Sequence, residues 1–172
     1  MIDKITQTKL NSIISDIKGK LFVEDLPYLK SLGNRLREGY TECGSLINLP
    51  LNILRKTDFF KDEINQLLEI KCVDENSFIL IIESQTKLGK HIDEGHTNQS
   101  PRLLASLSSI ENTKIGFVIS DQYLDPTSYR YAIFNPSYSL HDAYNSSLAE
   151  DWILLVLNLR DVCLNTEYII YE

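Results

Sequence analysis

Apolar side chains fall at helical spacing in the first third of the chain and at strand spacing beyond it. Leu10, Ile13, Ile14, Ile17 and Leu21 recur every three or four positions, which predicts an amphipathic helix. In EDLPYLKSLGNRLREGY, Asp25 offers a cap and Pro27 suits a first turn. Leu29, Leu32 and Leu36 then share a stripe that Gly39 closes. The run SLINLPLNIL (45–54) is ambiguous, and Pro50 argues against a central strand. TDFFKDEINQLL predicts a third helix, capped by Thr57 or Asp58 and burying Phe60, Ile64, Leu67 and Leu68.

The period then shortens. LLEIKCV and SFILIIES, joined by DEN, have the form of a hairpin, and the unbroken apolar run Phe78 to Ile82 fits a central strand buried on both faces. A polar connection covers 86–99. SPRLLASLSSI reads as a short helix capped by Ser100 with Pro101 in its first position. TKIGFVIS reads as a second buried strand, and YRYAIFNP as a more exposed one stopped by Pro136. Ser147 and Glu150 have capping-box spacing before a segment in which Trp152, Leu155, Val156, Leu159 and Cys163 would share a helix face. EYIIYE is a closing strand. The expectation is an α+β (or α/β) single domain over 1–172, with a mixed central sheet of about four or five strands. Residues 1–68 are mainly helical, 69–136 mainly sheet, and 146–164 a buried helix.

Composition narrows the class. With 43% hydrophobic and 24% charged residues, the chain resembles folded globular domains and not disordered ones. WILLVLNL, its most apolar stretch, is too short to span a bilayer, and the polar N-terminus does not resemble a signal peptide. A cytoplasmic protein without membrane association is expected. Three cysteines, Cys43, Cys72 and Cys163, are widely spaced and fit reduced thiols better than a disulfide framework. The formal charge of −7 and the scatter of basic residues argue against a nucleic-acid partner. Seven unclustered glycines offer no phosphate-cradling loop. Ser84 to Lys87 matches a serine–lysine spacing, but a strand precedes it where that chemistry needs a helix.

KHIDEGHTNQS places His91 and His96 five positions apart. On a helix they would point about 140° apart, whereas metal-binding pairs sit one turn apart. In a loop they could converge, with Asp93 or Glu94 adding oxygen, so His91, Asp93 and His96 form a candidate metal set. Gly89, Gly95 and TNQS favour a flexible polar connection instead. His141, in SLHDAY, lies too far along the chain to be assigned.

A second pattern lies upstream. In LLEIKCVDENSFILIIESQTK, Glu69 begins one hairpin strand while Glu83 and Gln85 end the next, with a helix and a buried strand to follow. That order resembles the restriction-endonuclease-like nuclease superfamily over roughly residues 60–120. The resemblance implies carboxylates that hold Mg2+ beside a scissile phosphate, because that ion prefers oxygen ligands. The family's usual lysine is Gln85 here, so Lys87 would have to supply the cation.

The tyrosines give a different signal. Asp121, Tyr123, Asp125, Tyr129, Tyr131, Tyr138, Asp142 and Tyr144 fall in one loop-rich region. Tyrosine suits interfaces because it buries much area at low entropic cost, and aspartates speed the capture of a basic protein. The preferred expectation is therefore an acidic binding protein without a cofactor, such as an inhibitor or immunity-type factor that covers a basic partner. The alternative is the Mg2+-dependent nuclease using Glu69, Glu83 and Gln85. Oligomeric state is not expressed in the sequence.

Overall fold

The computed structural model describes residues 2–36, 39–108 and 110–172. Asp3 caps the first helix, its carboxylate accepting the Thr6 N–H at 2.8 Å. The elements in chain order are α1 (Lys4–Lys20), α2 (Leu26–Leu32), β1 (Asn34–Leu36), β2 (Leu46–Pro50), α3 (Leu51–Leu54) and α4 (Lys61–Glu69). There follow β3 (Phe78–Ile82), β4 (Thr86–Lys87), β5 (Arg102–Ser106), β6 (Ile115–Ile119), β7 (Gln122–Leu124) and β8 (Tyr131–Phe134). The chain closes with β9 (His141–Asn145), β10 (Trp152–Asn158) and β11 (Tyr168–Tyr171).

The eleven strands among the described residues form two antiparallel sheets, one ordered β1-β2-β3-β10-β5-β8-β11 and the other β4-β9-β6-β7. This overturns the mixed sheet of four or five strands. Within the order lies a nested pairing: β3 with β10, β4 with β9, β5 with β8, and β6 with β7. One long hairpin is thus wound across two layers, the arrangement of a jelly roll.

Alternation along the strands builds two cores. Ile79, Ile81, Leu103, Ile133, Ile153, Leu155 and Leu157 face the helices and pack with Leu10, Ile14, Ile17, Ile64 and Leu67. Ile82, Leu104, Trp152, Leu154 and Val156 face the smaller sheet and pack with Ile115, Phe117, Ile119 and Ala143. Because helices cover one face and the second sheet the other, Phe78–Ile82 in β3, Leu103–Ala105 in β5 and Trp152–Leu157 in β10 are unbroken apolar runs.

Burial accounts for the corrections at β10, β5 and β8, and local geometry for the other two. Residues 152–158 form the strand β10 between β3 and β5, not a buried helix. Ser147 does accept the Glu150 N–H at 3.0 Å, but this closes a turn instead of starting a helix. SPRLLASLSSI likewise holds the strand β5. LLEIKCV is not a strand, since α4 runs through Glu69. The second helix stops at Leu32, because Gly33 lies against β2 where a Cβ would stand 2.6 Å from Ile47. Strand β8 is buried throughout instead of exposed. Cys43 and Cys163 are exposed and Cys72 half-buried, with no disulfide among them. No helix among the described residues is long and apolar enough to cross a membrane.

Gly116 carries a local test of the smaller sheet. It pairs with Tyr144, whose ring lies over it; a Cβ would meet Tyr144 Cζ at 2.3 Å. Gly116→Val is therefore expected to cost about 1–3 kcal/mol by overpacking. Adding Tyr144→Ala should recover part of that loss in urea unfolding, and a purely additive double variant would refute the contact.

Candidate metal centre

An extended chain sends alternate side chains to one side, so His91 and Asp93 point together while Ile92, between them, is 55% exposed. The segment carrying them pairs antiparallel with the start of β9. His91 N–H donates to the His141 carbonyl and His141 N–H to the His91 carbonyl, both at 2.9 Å. This pairing sets the two rings on the same face with centroids 4.3 Å apart. Asp93 is fixed from a third element, its N–H donating to the Pro136 carbonyl at 2.7 Å. The Ser137 hydroxyl donates to the Asp93 carbonyl in turn.

One donor atom from each of His91, Asp93 and His141 lies within 4.8 Å of the others. The orientation of the rings is decided by their far nitrogens. His91 Nδ1 lies 2.7 Å from the Gly89 carbonyl and His141 Nδ1 lies 2.8 Å from the Ser139 carbonyl. A carbonyl only accepts, so each Nδ1 carries the hydrogen and each neutral ring presents a bare Nε2. Those Nε2 atoms face the Asp93 carboxylate at 3.5 Å for His91 and 3.4 Å for His141. Three lone-pair donors thus converge, an arrangement that either a proton on a ring or a metal cation relieves. The donor set fits a divalent transition metal: two imidazoles and one carboxylate on one face.

Burial opposes ionisation of Asp93, but in the metal-free protein with a proton also on the Nε2 atoms, the His141 contact and the positive charges of Arg102, His141 and His91 outweigh it. They hold the carboxyl at about 2, below its ordinary 3.8. A carboxyl depressed in this way stabilises the fold above its unfolded value, and the effect is lost as pH falls through the folded value. The metal-free protein should therefore lose on the order of 2 kcal/mol between about pH 4 and pH 2 from this group. Asp93→Asn should flatten that limb in urea titrations run across the acid range. An unchanged limb would show that the carboxylate is not so held.

Arg102, the first residue of β5, holds Asp93 in place. Its Nη1 donates to Asp93 Oδ2 at 2.8 Å and its Nε to Asn158 Oδ1 at 3.0 Å. Its Nη2 lies 3.3 Å from His96 Nε2, and the guanidinium sits over the Phe78 ring at 5.6 Å. The cluster opens into a cavity of about 560 Å³ between the sheets, walled by Phe78, Leu80, Leu104, Phe117, Leu154 and Val156. That volume is ordinary for a small-molecule site.

The structure keeps His91 and Asp93 of the expected metal set and exchanges the third member. His96 turns Nδ1 to the Ser100 carbonyl at 2.8 Å and Nε2 to Arg102, so both nitrogens are engaged. His141 takes its place. The signal that could have found the pair was the His-x-Asp spacing of two in an extended segment. Within the segment expected to be a flexible polar connection, the Gly89 carbonyl orients the His91 ring, as the Ser139 carbonyl orients that of His141.

The other expected residues are dispersed. Glu69 ends α4 and lines a groove with Thr8, Lys9 and Ser12. Glu83 is ion-paired with Lys30 and Arg35, Gln85 sits in a turn at φ 58°, and Lys87 pairs with Glu42. Glu69 and Glu83 thus stand in different surroundings and form no joint ion site. Tyr131 is buried and stacks on Tyr171, and Tyr129 and Tyr144 are partly buried. Asp142 is buried too, where its carboxylate accepts the Gly89 N–H at 2.8 Å and steadies the turn before His91. Asp121 pairs with Lys90, and Asp125 accepts from Thr127 and Asn112. Tyr123 and Tyr138 remain exposed.

No family model matches the chain, and no curated protein matches it. Solved structures resemble it remotely. A candidate sugar phosphate isomerase from Acidithiobacillus ferrooxidans is 14% identical, with 81% of this chain and 74% of that one covered and a TM-score of 0.45. A prolyl-4-hydroxylase from Pseudomonas putida is 10% identical, with 90% and 87% covered and a TM-score of 0.43. Activity is therefore read from this chain's own residues.

Proposed function

We propose that this protein is a metal-dependent enzyme in which His91, Asp93 and His141 hold a divalent transition ion, with iron(II) the leading candidate, at an apolar cavity. The observation that carries the reading is the pair of rings whose Nδ1 atoms are committed to backbone carbonyls, leaving both Nε2 atoms aimed at one carboxylate. Two histidines and one carboxylate on a single face are the donor set of non-haem iron(II) oxygenases, and they leave coordination positions open. When bound, such an ion supplies a Lewis-acidic and redox-active centre.

The chain's own residues do the rest. The Gly89 and Ser139 carbonyls fix the tautomers and raise the basicity of the imidazoles. Arg102 orients Asp93 and keeps it ionised. Phe78, Leu80, Leu104 and Val156 exclude water and receive the apolar body of a small substrate. An inhibitor or nuclease role draws no comparable support, since the residues expected to carry either are dispersed.

The test is metal uptake. Protein stripped with a chelator should bind one equivalent of iron(II) or cobalt(II) under anaerobic conditions, with a rise in melting temperature. Binding that is substoichiometric, or indifferent to loss of Asp93 or His141, would overturn the reading.

A further inference from the structure

Among the described residues, the charged groups lining the cavity are Glu42, Lys90, Asp93 and Arg102. Glu42 and Lys90 stand at its exposed rim and are paired outward, with Lys87 and Asp121 respectively. Only Asp93 and Arg102 face inward, and they cancel one another. Loading the site as proposed above requires both rings neutral, because each Nε2 must donate its lone pair. The ion's two positive charges then stand uncompensated beside apolar walls. A buried charge in such surroundings is costly unless it is paired.

We infer that Arg102 makes the loaded site a receptor for anions, so that the ligand is a small carboxylate-bearing molecule with an apolar body. Resting on the metal reading, this inference names the class of molecule the site takes. Without Arg102, the Asp93 charge would halve the excess; with it, the full charge of the ion is available to an entering carboxylate. Arg102 also lines the cavity. Its side chain is only 17% exposed, and its face is packed on the Phe78 wall. Nη1 and Nη2 each carry a second N–H beyond those given to Asp93 and His96. A carboxylate lying between the ion and this guanidinium would meet both, while its apolar part lies along Leu80, Leu104 and Val156.

The probes are benzoate and its neutral counterpart benzamide, titrated into the cobalt(II)-loaded protein and followed by the visible absorption of the ion. Benzoate should bind at least about tenfold more tightly than benzamide, and its affinity should fall as salt is raised. In Arg102→Gln at saturating metal the preference should shrink to about twofold or less, and Arg102→Lys, which keeps the charge but not the paired N–H groups, should restore only part of it. Equal binding of the two probes to the wild-type protein overturns the inference, and this arm needs no variant to fold. A preference that survives Arg102→Gln removes Arg102 as its source and also overturns it. Failure of the stripped protein to take up cobalt(II) overturns the metal reading itself, and with it this inference, so the two failures are separable.

Discussion

His141→Ala is expected to lower the affinity for iron(II) or cobalt(II) by at least about a hundredfold, while His96→Ala lowers it by about tenfold at most. The two histidines differ in what their nitrogens already do. His141 gives Nδ1 to the Ser139 carbonyl and turns Nε2 toward the Asp93 carboxylate, where the proposed ion would sit. His96 uses one nitrogen on the Ser100 carbonyl and the other on Arg102, so it acts on the site only through Asp93's neighbour. Removing His141 deletes a donor; removing His96 loosens an arginine. Anaerobic titration of the stripped variants separates the cases. Equal losses would return His96 to the ligand set and displace the geometry described here.

Leu155→Ala is expected to cost about 3 kcal/mol and to lower the melting temperature by roughly 6–12 °C. Leu155 is fully buried near the middle of β10, where it pairs with Ile79 on one side and Ala105 on the other. Its side chain points to the helices, in the core formed with Leu10, Ile17 and Ile64. Truncation therefore leaves a cavity between sheet and helices that neither layer can close, because both are tied into larger elements. Leu148→Ala serves as the control: it is 77% exposed and should change stability by less than about 0.5 kcal/mol. A Leu155 variant that melts like the control would contradict the central position of β10.

Much of the first half was legible. The helical spacing of Leu10, Ile13, Ile14 and Ile17 did mark α1, and Ile64 and Leu67 did mark the buried side of α4. The runs Phe78 to Ile82 and Ile115 to Ile119 were readable as strands because β-branched residues dominate them. Trp152 to Leu157 was not. Six consecutive buried positions carry no period, so helix and strand predict the same letters, and only the presence of layers on both sides decides between them. Pro101 and Ser147 misled for a related reason. Proline at a first position and serine three residues before glutamate describe local hydrogen bonding that turns share with helix starts.

The candidate site was half visible. His91 and Asp93 stood out as polar residues capable of holding an ion, but a sequence cannot say which distant residue completes a cluster. His141 lies in a separate strand, and it reaches Asp93 only because β9 pairs with the segment after β4. The same folding hides Tyr131 and Asp142, which in sequence looked like surface groups.

By itself, then, the sequence determined what can be read from neighbours a few positions apart: the amphipathic helices, the apolar strands, and an acidic chain without a bilayer-length apolar run. Tertiary structure alone decided that the strands wind into two antiparallel layers, and that His141 rather than His96 stands beside His91 and Asp93. The physical reason is range. Helix periodicity and capping act over one or two turns, whereas strand pairing and convergent donors depend on contacts between segments some fifty positions apart.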